Sequence, residues 1–421
     1  MLASCGSANA PELERADAAV DAAPDTSLDA SSELDADFVD ADGSDLEPND
    51  SCDTPGCLRS ATFVGDFTQD DLEPFLEAGV RINNGYSVWT LSYATEHDES
   101  LATVTIPFRA RAPFNGYHIV GNNHGTTGIG EECGLTGTIY GTGLAGLFGA
   151  RGMVGVAPDY PGLGTTGDHP YLVAESEGRA VLDSLRAAEQ LSRWLDVPLS
   201  GHFATTGLSQ GGHATIAAAM EHETYAPELD IRAFSAAAPA SAWIEHWRPG
   251  ASFDGEHLVY HALLFGAWTQ HYAYDGPSLW APDFDVAALS NACIFNIRDN
   301  EVLGRVVPVV RSELFNAEFL SAYSSGNWGE YGTFAEHFAA NRIVPFRQTA
   351  PLRIYQGDDD ETVLEADTAQ MVEALRGGGV AVEYEVVEGG THLNVAFGFV
   401  ATDELRTEES ITWLRSMLDA P

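Results

Sequence analysis

The sequence contains no lysine. All 20 of its basic residues are arginine, and they stand against 63 acidic residues, which gives a formal net charge of −43 over 421 residues. A surface of this sign repels nucleic acids and anionic membrane faces, so both are excluded as partners. The absence of lysine also excludes a mechanism in which a lysine activates a serine. The acidity itself fits either a salty habitat or high solubility.

Long apolar runs are also lacking, and none approaches the roughly 20 residues that a membrane-spanning helix needs. Cysteine is scarce. The five cysteines are Cys5, Cys52, Cys57, Cys133 and Cys293. If the first is a lipid-attachment site, four remain, which is enough for two disulfides. Cys52 and Cys57 bracket a short turn-forming spacer, so Cys133 and Cys293 would be the long-range pair. A set of four free thiols stays open as the alternative.

The N-terminal segment differs in composition from the rest of the chain. Residues 1–59 hold fifteen acidic residues against two arginines, a net charge of −13. Large apolar residues are few and show no periodicity. A chain of this composition cannot bury enough apolar surface to fold. We therefore predict a disordered acidic tail or linker over 1–59, with a folded domain from residue 60.

The first five residues, which end in Leu2-Ala3-Ser4-Cys5, resemble a bacterial lipobox. In such a motif the cysteine becomes a lipidated N-terminus. The basic and apolar parts of a signal peptide do not precede it, so either the start is truncated or the match is accidental. Together with the cysteine pattern, this motif predicts an extracytoplasmic protein, either secreted or held at the cell surface as a lipoprotein through Cys5.

From residue 60 onward, apolar runs typical of strands alternate with helical patterns. Predicted strands cover 80–92, 99–109, 116–121, 153–157, 351–356 and 381–387, and predicted helices cover 173–195, 364–376 and 405–418. Such alternation is typical of a mostly parallel, doubly wound α/β sheet covered by helices on both faces. We assign 60–238 and 348–421 to this core.

The alternation stops over 239–347, a stretch that is dense in aromatic residues. This pattern predicts a largely helical cap, or lid, inserted after the sixth core strand. Most of its aromatic side chains should form the core of the cap itself. Some should face the site below it, because an apolar roof suits an acyl or aryl substrate.

One stretch carries a chemical motif: Gly207-Leu208-Ser209-Gln210-Gly211 reads G-x-S-x-G. A short apolar segment suited to a buried strand precedes it, and a good helix former follows it. Strand, sharp turn and helix is the context in which this motif presents a serine nucleophile. Gly207 and Gly211 leave room for a strained turn, and Gly212 lets the helix pack close to the sheet. The alternative is a glycine-rich turn with an idle serine.

A serine hydroxyl needs an adjacent base, and that base needs an orienting acid. In a doubly wound hydrolase the acid and the histidine follow the serine along the chain, on loops after later strands. The strand predicted over 351–356 leads into a loop with Asp358, Asp359 and Asp360, and His392 lies in a glycine-rich loop after the next strand. We predict His392 as the base and Asp360 as its orienting acid.

An oxyanion formed during such a reaction needs backbone N–H donors. One should come from Gln210, at the start of the helix after the serine. The other should come from the loop over 122–128, after the third predicted strand. That loop contains His124, Gly125 and Thr126, and the last of these is the expected second donor. A plain glycine-rich turn would account for the glycines of this loop but not for the whole constellation.

These motifs together resemble the secretory lipase family of α/β-hydrolases. The resemblance rests on Gly207–Gly212, on the His124-Gly125-Thr126 loop, on Ala157–Gly164, and on the loops of Asp360 and His392. It spans about 75 to 418 and includes the position of the cap. It implies ester hydrolysis by a Ser209–His392–Asp360 triad under a lid. Asp159 and Tyr160 match a family motif near the site and are treated as supporting residues. The acidic tail and Leu208, where Tyr or His is more usual, depart from the family.

The sequence therefore predicts an exported α/β-hydrolase that cleaves small-molecule or lipid esters, without a metal or a cofactor. Two alternatives remain. A serine peptidase of the prolyl-oligopeptidase type has the same triad, but such enzymes usually carry a propeller before the hydrolase domain, and 1–75 is too short and polar to form one. A non-enzymatic surface binding protein could share the scaffold, but such proteins commonly lose triad members, and this chain retains all three candidates.

Overall fold

The computed structural model describes residues 52–71, 83–96, 98–108, 113–242, 254–255, 257–298, 300–396 and 406–421. Most of the predicted acidic tail, including the predicted lipid site at Cys5, lies outside these residues. The first part of the predicted cap lies outside them as well.

The described residues form a nine-stranded sheet in the order β1-β2-β3-β5-β4-β6-β7-β10-β11. Its strands are β1 (Leu58–Phe67), β2 (Tyr86–Thr95), β3 (Asp98–Pro107), β4 (Tyr117–Asn123), β5 (Val154–Pro158), β6 (Leu199–Leu208), β7 (Asp230–Ala237), β10 (Leu352–Gly357) and β11 (Val382–Val387); β8 (Ala292–Cys293) and β9 (Glu301–Val302) pair separately. The first three strands and β5 pair antiparallel, and all pairs from β5 to β11 are parallel.

Helices cover both faces of the parallel part, and β5 is buried along its whole length. The helices are α1 (Ile139–Gly149), α2 (Ala174–Trp194), α3 (Gln210–Tyr225), α4 (Leu258–His271), α5 (Ala288–Asn291), α6 (Leu303–Val306), α7 (Arg311–Leu314), α8 (Ala317–Ser325), α9 (Gly332–Ala340), α10 (Glu365–Gly377) and α11 (Thr407–Leu418). One apolar cluster joins α2, α3 and α10 to the sheet, and another joins α1 and α11 to it. The predicted doubly wound arrangement is therefore present.

The segment between β7 and β10 carries short helices around an aromatic core. The ring of Phe265 on α4 contacts the rings of Phe315, Phe319, Tyr323, Phe334 and Phe338. Most of the described aromatic side chains thus pack on one another, as the sequence predicts. The same cluster includes Tyr171 and Val363 from the α/β part, so the segment packs directly on loops at the carboxyl edge of the sheet.

Sequence analysis missed β1. The strand begins at Leu58, inside the stretch assigned to the tail, and Cys52 is buried as well. Only Leu58 and Ala61 of its ten residues are buried, and it pairs with β2, where Leu58 lies opposite Tyr93 and Ala61 opposite Leu91. Consequently the loop over 122–128 follows the fourth strand, not the third, and the segment predicted to be a cap follows the seventh strand, not the sixth.

Two disulfides are present, and they are the two pairs that the sequence suggested. One joins Cys52 to Cys57, and the other joins Cys133 to Cys293 across 160 positions of sequence. Cys133 lies in the loop region after β4, and Cys293 lies on β8 in the segment between β7 and β10, so the long-range bond ties the two together. Among the described residues, no helix combines the length and the apolar character needed to cross a membrane.

Replacing both Cys133 and Cys293 with alanine should lower the free energy of unfolding by roughly 2–5 kcal/mol, because a long closed loop restricts the unfolded chain most. Urea unfolding of the oxidised protein measures the loss. The matched control removes Cys52 and Cys57, which close a loop of five positions and should contribute roughly 2 kcal/mol or less. Equal losses from the two pairs would contradict the prediction.

Candidate functional site

The turn between β6 and α3 has a strained backbone at Ser209, with φ of 59° and ψ of −116°. Glycines make this turn sterically feasible. A Cβ atom at Gly211 would lie 1.9 Å from the carbonyl oxygen of Asn123, and one at Gly207 would lie 2.5 Å from the carbonyl oxygen of Gly211. The small residues that the G-x-S-x-G motif supplies are therefore required by the close approach of β4 and α3.

Backbone hydrogen bonds hold Ser209 at the carboxyl edge of the sheet. Its N–H donates to the Ala237 carbonyl (3.0 Å), and its carbonyl accepts from the N–H groups of His213 (2.9 Å) and Ala240 (3.1 Å). The residue is only 7% exposed. A strained serine fixed by its backbone at a sheet edge is the arrangement that a nucleophile elbow needs.

Asp360 lies in the loop after β10, and its carboxylate accepts four hydrogen bonds. Oδ1 accepts from the N–H groups of Thr362 and Val363, each at 2.8 Å. Oδ2 accepts from Nε2 of Gln356 at 3.0 Å and faces Nδ1 of His392 at 2.9 Å. These donors fix the orientation of the carboxylate.

His392 lies in the loop after β11 and is 8% exposed. An ionised carboxylate only accepts, so the 2.9 Å contact with Asp360 makes Nδ1 of His392 the donor and leaves Nε2 as the acceptor. The two loops meet because β10 and β11 are parallel neighbours, and Gly357 and Gly390 let the chains touch. Of the three consecutive aspartates, the structure brings Asp360 to His392.

Asp358 and Asp359 have other surroundings. Both side chains are exposed, and Oδ1 of Asp358 accepts a hydrogen bond from the N–H of Gly389 at 2.7 Å. Asp358 thus steadies the histidine loop without touching the imidazole. Together with Asp360 and His392 these residues line an open cleft at the carboxyl edge of the sheet.

The two predicted oxyanion donors lie on α3 and in the loop after β4. Gln210 is the first residue of α3, where a backbone N–H has no acceptor within the helix. Thr126 is 7% exposed, and its Oγ1 lies 2.8 Å from the hydroxyl of Tyr171. The carbonyl of Asn123, just before this loop, approaches Gly211 of the elbow, so the loop after β4 packs against α3.

The predicted supporting residues form hydrogen bonds within and around the loop after β4. Tyr160 donates its hydroxyl proton to the carbonyl of His124 at 3.0 Å, and Nδ1 of His124 lies 2.7 Å from the Gly125 carbonyl. The carboxylate of Asp159 accepts from the N–H groups of Leu135 (2.7 Å) and Thr136 (2.9 Å). Burial lowers the pKa of His124, against the opposing charge of Asp159. These contacts are structural, and the supporting role of these residues stays a prediction.

Sequence analysis missed a buried polar cluster behind the elbow, formed by His169, Glu177, Gln210 and His213. Nε2 of Gln210 lies 2.8 Å from Nε2 of His169 and 2.8 Å from Oε1 of Glu177. Nδ1 of His169 donates to the Pro161 carbonyl at 3.0 Å, so its Nε2 accepts from the amide. The sequence feature that could have indicated this cluster is Glu177, a glutamate on the buried face of the long helix α2.

Burial lowers the pKa of His169 to about 4, below its ordinary value of 6.5. The unfolded chain binds the proton more tightly, so stability is fully present above pH 6.5 and is lost as pH falls towards 4. Between pH 7 and pH 4 the free energy of unfolding of the wild type should therefore fall by on the order of 3 kcal/mol more than that of a His169→Gln variant. Urea unfolding of both proteins at the two pH values measures this, and equal losses would contradict it.

Comparisons with known proteins agree with this geometry. The family model described as secretory lipase matches residues 144–246, which include the elbow. No curated protein matches the chain. Within the described parts of the chain, no group of three or more His, Cys, Asp or Glu side chains could hold a metal ion.

Several solved structures share the fold. The rice cell wall degrading esterase LipA from Xanthomonas oryzae is 21% identical, with a TM-score of 0.68 over 87% of this chain and 98% of that one. A putative hydrolase from Legionella pneumophila is 20% identical, with a TM-score of 0.67 over 86% and 99% of the two chains. Candida antarctica lipase A in its closed state is 16% identical, with a TM-score of 0.61 over 87% and 83%. The chain thus has the α/β-hydrolase fold, and its resemblance to the secretory lipase family is confirmed over residues 144–246.

Proposed function

We propose that this protein is an exported serine hydrolase that cleaves carboxylic esters through Ser209, His392 and Asp360. The observation that carries the proposal is the buried hydrogen bond between His392 and Asp360, at the same sheet edge as the strained Ser209. An oriented base at the sheet edge that also carries a strained serine supports the assignment of nucleophile, base and orienting acid to these three residues.

In this mechanism Nε2 of His392 takes the proton of Ser209 while the serine oxygen attacks the ester carbonyl. The backbone N–H groups of Thr126 and Gln210 stabilise the negative charge that develops on the carbonyl oxygen. His392, held by Asp360, then gives its proton to the leaving alcohol, and an acyl group remains on Ser209. Water then attacks the acyl group while His392 takes its proton. His392 returns that proton to the oxygen of Ser209, and the acid is released.

The segment between β7 and β10 acts as a lid in this proposal. Its aromatic cluster packs on Tyr171 and Val363, which lie beside the oxyanion loop and the Asp360 loop, and Ser209 and His392 are both nearly buried. An ester with an apolar acyl or aryl group fits such surroundings. Small-molecule and lipid esters are both within this class.

Export is the second part of the proposal. Two disulfides support it, because such bonds persist in oxidising compartments, and so does the match to a secretory family. The lipobox-like sequence before Cys5 supports a lipid anchor at that residue. Mass spectrometry of the N-terminal peptide from the natively produced protein tests the anchor.

The test of activity is a panel of p-nitrophenyl esters from short to long acyl chains, run beside peptide anilides. We expect hydrolysis of esters and none of the anilides. Peptide cleavage without ester cleavage would replace this proposal with a peptidase, and no turnover of either class would favour a binding protein on the same scaffold.

A further inference from the structure

Glu177 is a fully buried carboxylate on α2 that has no role in the mechanism described above. Its Oε1 accepts from the N–H of Leu172 (2.8 Å) and from Nε2 of Gln210 (2.8 Å), and its Oε2 lies 2.7 Å from Nδ1 of His213. Removing a carboxylate from water is unfavourable unless such partners compensate for it. All three donors belong to segments that shape the candidate site.

Two of the donors belong to the elbow. Gln210 directly follows Ser209, and its backbone N–H is one proposed oxyanion donor. His213 lies one helical turn further, and its N–H donates to the carbonyl of Ser209 at 2.9 Å. Glu177 therefore holds the residues on which the orientation of the Ser209–Gln210 peptide depends.

The third donor belongs to a strained turn. Leu172 has a φ of 55°, a conformation that non-glycine residues rarely adopt, and the hydrogen bond from its N–H to Glu177 holds it there. The preceding residue, Tyr171, places its hydroxyl 2.8 Å from Oγ1 of Thr126, the other proposed oxyanion residue. Trp268 of the lid segment donates to the Tyr171 carbonyl at 3.0 Å.

We propose that Glu177 is the positioning residue of the oxyanion hole: one buried carboxylate links the residues that supply both backbone donors. It reaches Gln210 directly and Thr126 through the Leu172–Tyr171 turn. This role rests on the proposed serine-hydrolase function. Oxyanion donors act only when they are placed to within tenths of an ångström, so a loosened support lowers turnover more than it lowers substrate binding.

A purely structural role is the competing explanation, and the same helix offers a matched control. Asp183 is also fully buried, and it binds Arg186 (2.9 Å) and the hydroxyl of Tyr225 (2.9 Å), with no part in the elbow. Glu177→Gln and Asp183→Asn each replace one buried carboxyl group on α2 with an amide of the same shape.

The experiment compares the two variants at matched folded fraction on a p-nitrophenyl ester. We expect Glu177→Gln to lower kcat by about 10- to 100-fold with KM within about threefold, because loss of one whole donor lowers kcat by about 10²–10³. Its affinity for a boronic acid inhibitor, which forms a tetrahedral adduct, should fall in parallel with kcat. Asp183→Asn should keep kcat within about twofold.

A second variant keeps the proposal testable if Glu177→Gln fails to fold. Tyr171→Phe removes only the hydroxyl that contacts Thr126, and it should lower kcat by about three- to tenfold. An unchanged kcat in Tyr171→Phe, or a loss in Glu177→Gln no larger than in Asp183→Asn, would overturn the role of Glu177. A wild-type protein without ester turnover would instead contradict the proposed function.

Discussion

Changing Ser209 to alanine should lower ester turnover by a factor on the order of 10⁵–10⁶, because no acyl-enzyme can form without the serine oxygen. Covalent labelling by an organophosphonate should disappear with it. Folding should survive, since the hydrogen bonds that fix the turn come from backbone atoms of Ser209 and not from its hydroxyl. Steady-state kinetics and intact-protein mass spectrometry measure the two losses.

Ser241 supplies the matched control. It is buried in the short helical turn after β7, and its hydroxyl has no hydrogen-bond partner among the described residues. Ser241→Ala should leave turnover and labelling unchanged. If the phosphonate still labels Ser209→Ala at another serine, the nucleophile lies there and the proposed mechanism is wrong.

Changing Asp360 to asparagine should lower turnover by two to four orders of magnitude, on the order of 3–5 kcal/mol of transition-state stabilisation. Each carboxylate oxygen of Asp360 accepts from two donors: Thr362 and Val363 on one side, Gln356 and His392 on the other. In either orientation, the NH₂ group of the asparagine would face N–H donors that the carboxylate accepted from in the wild type. The relaxed arrangement moves the proton of His392 to Nε2, which then cannot accept from Ser209.

The neighbouring aspartates control for charge and loop position. Asp358→Asn and Asp359→Asn should each change turnover by less than about tenfold, because these side chains are exposed and act on stability at most, at about 1 kcal/mol. All three variants are compared at matched folded fraction. If Asp358→Asn or Asp359→Asn were inactive while Asp360→Asn remained active, the acid that orients His392 would be a different aspartate.

The sequence alone predicted the features that are encoded locally. Ser209 and its flanking glycines lie in one short strand–turn–helix segment, so the composition of that segment implies the strained turn. The alternation of strands and helices implied a parallel sheet, and parallel strands place their carboxyl ends at one edge. From that rule the loops of Asp360 and His392 could be expected near Ser209, although 32 positions separate the acid from the base.

Tertiary structure decided what depends on contacts between distant segments. The apolar residues of the strand β1 do not alternate with polar ones in a regular pattern, and the strand is defined by its pairing with β2. Glu177 reads as an ordinary helical glutamate in sequence. Only the packing of α2 against α3 removes it from water and brings its carboxylate to Gln210 and His213, and a buried charge acquires a role through the partners that surround it.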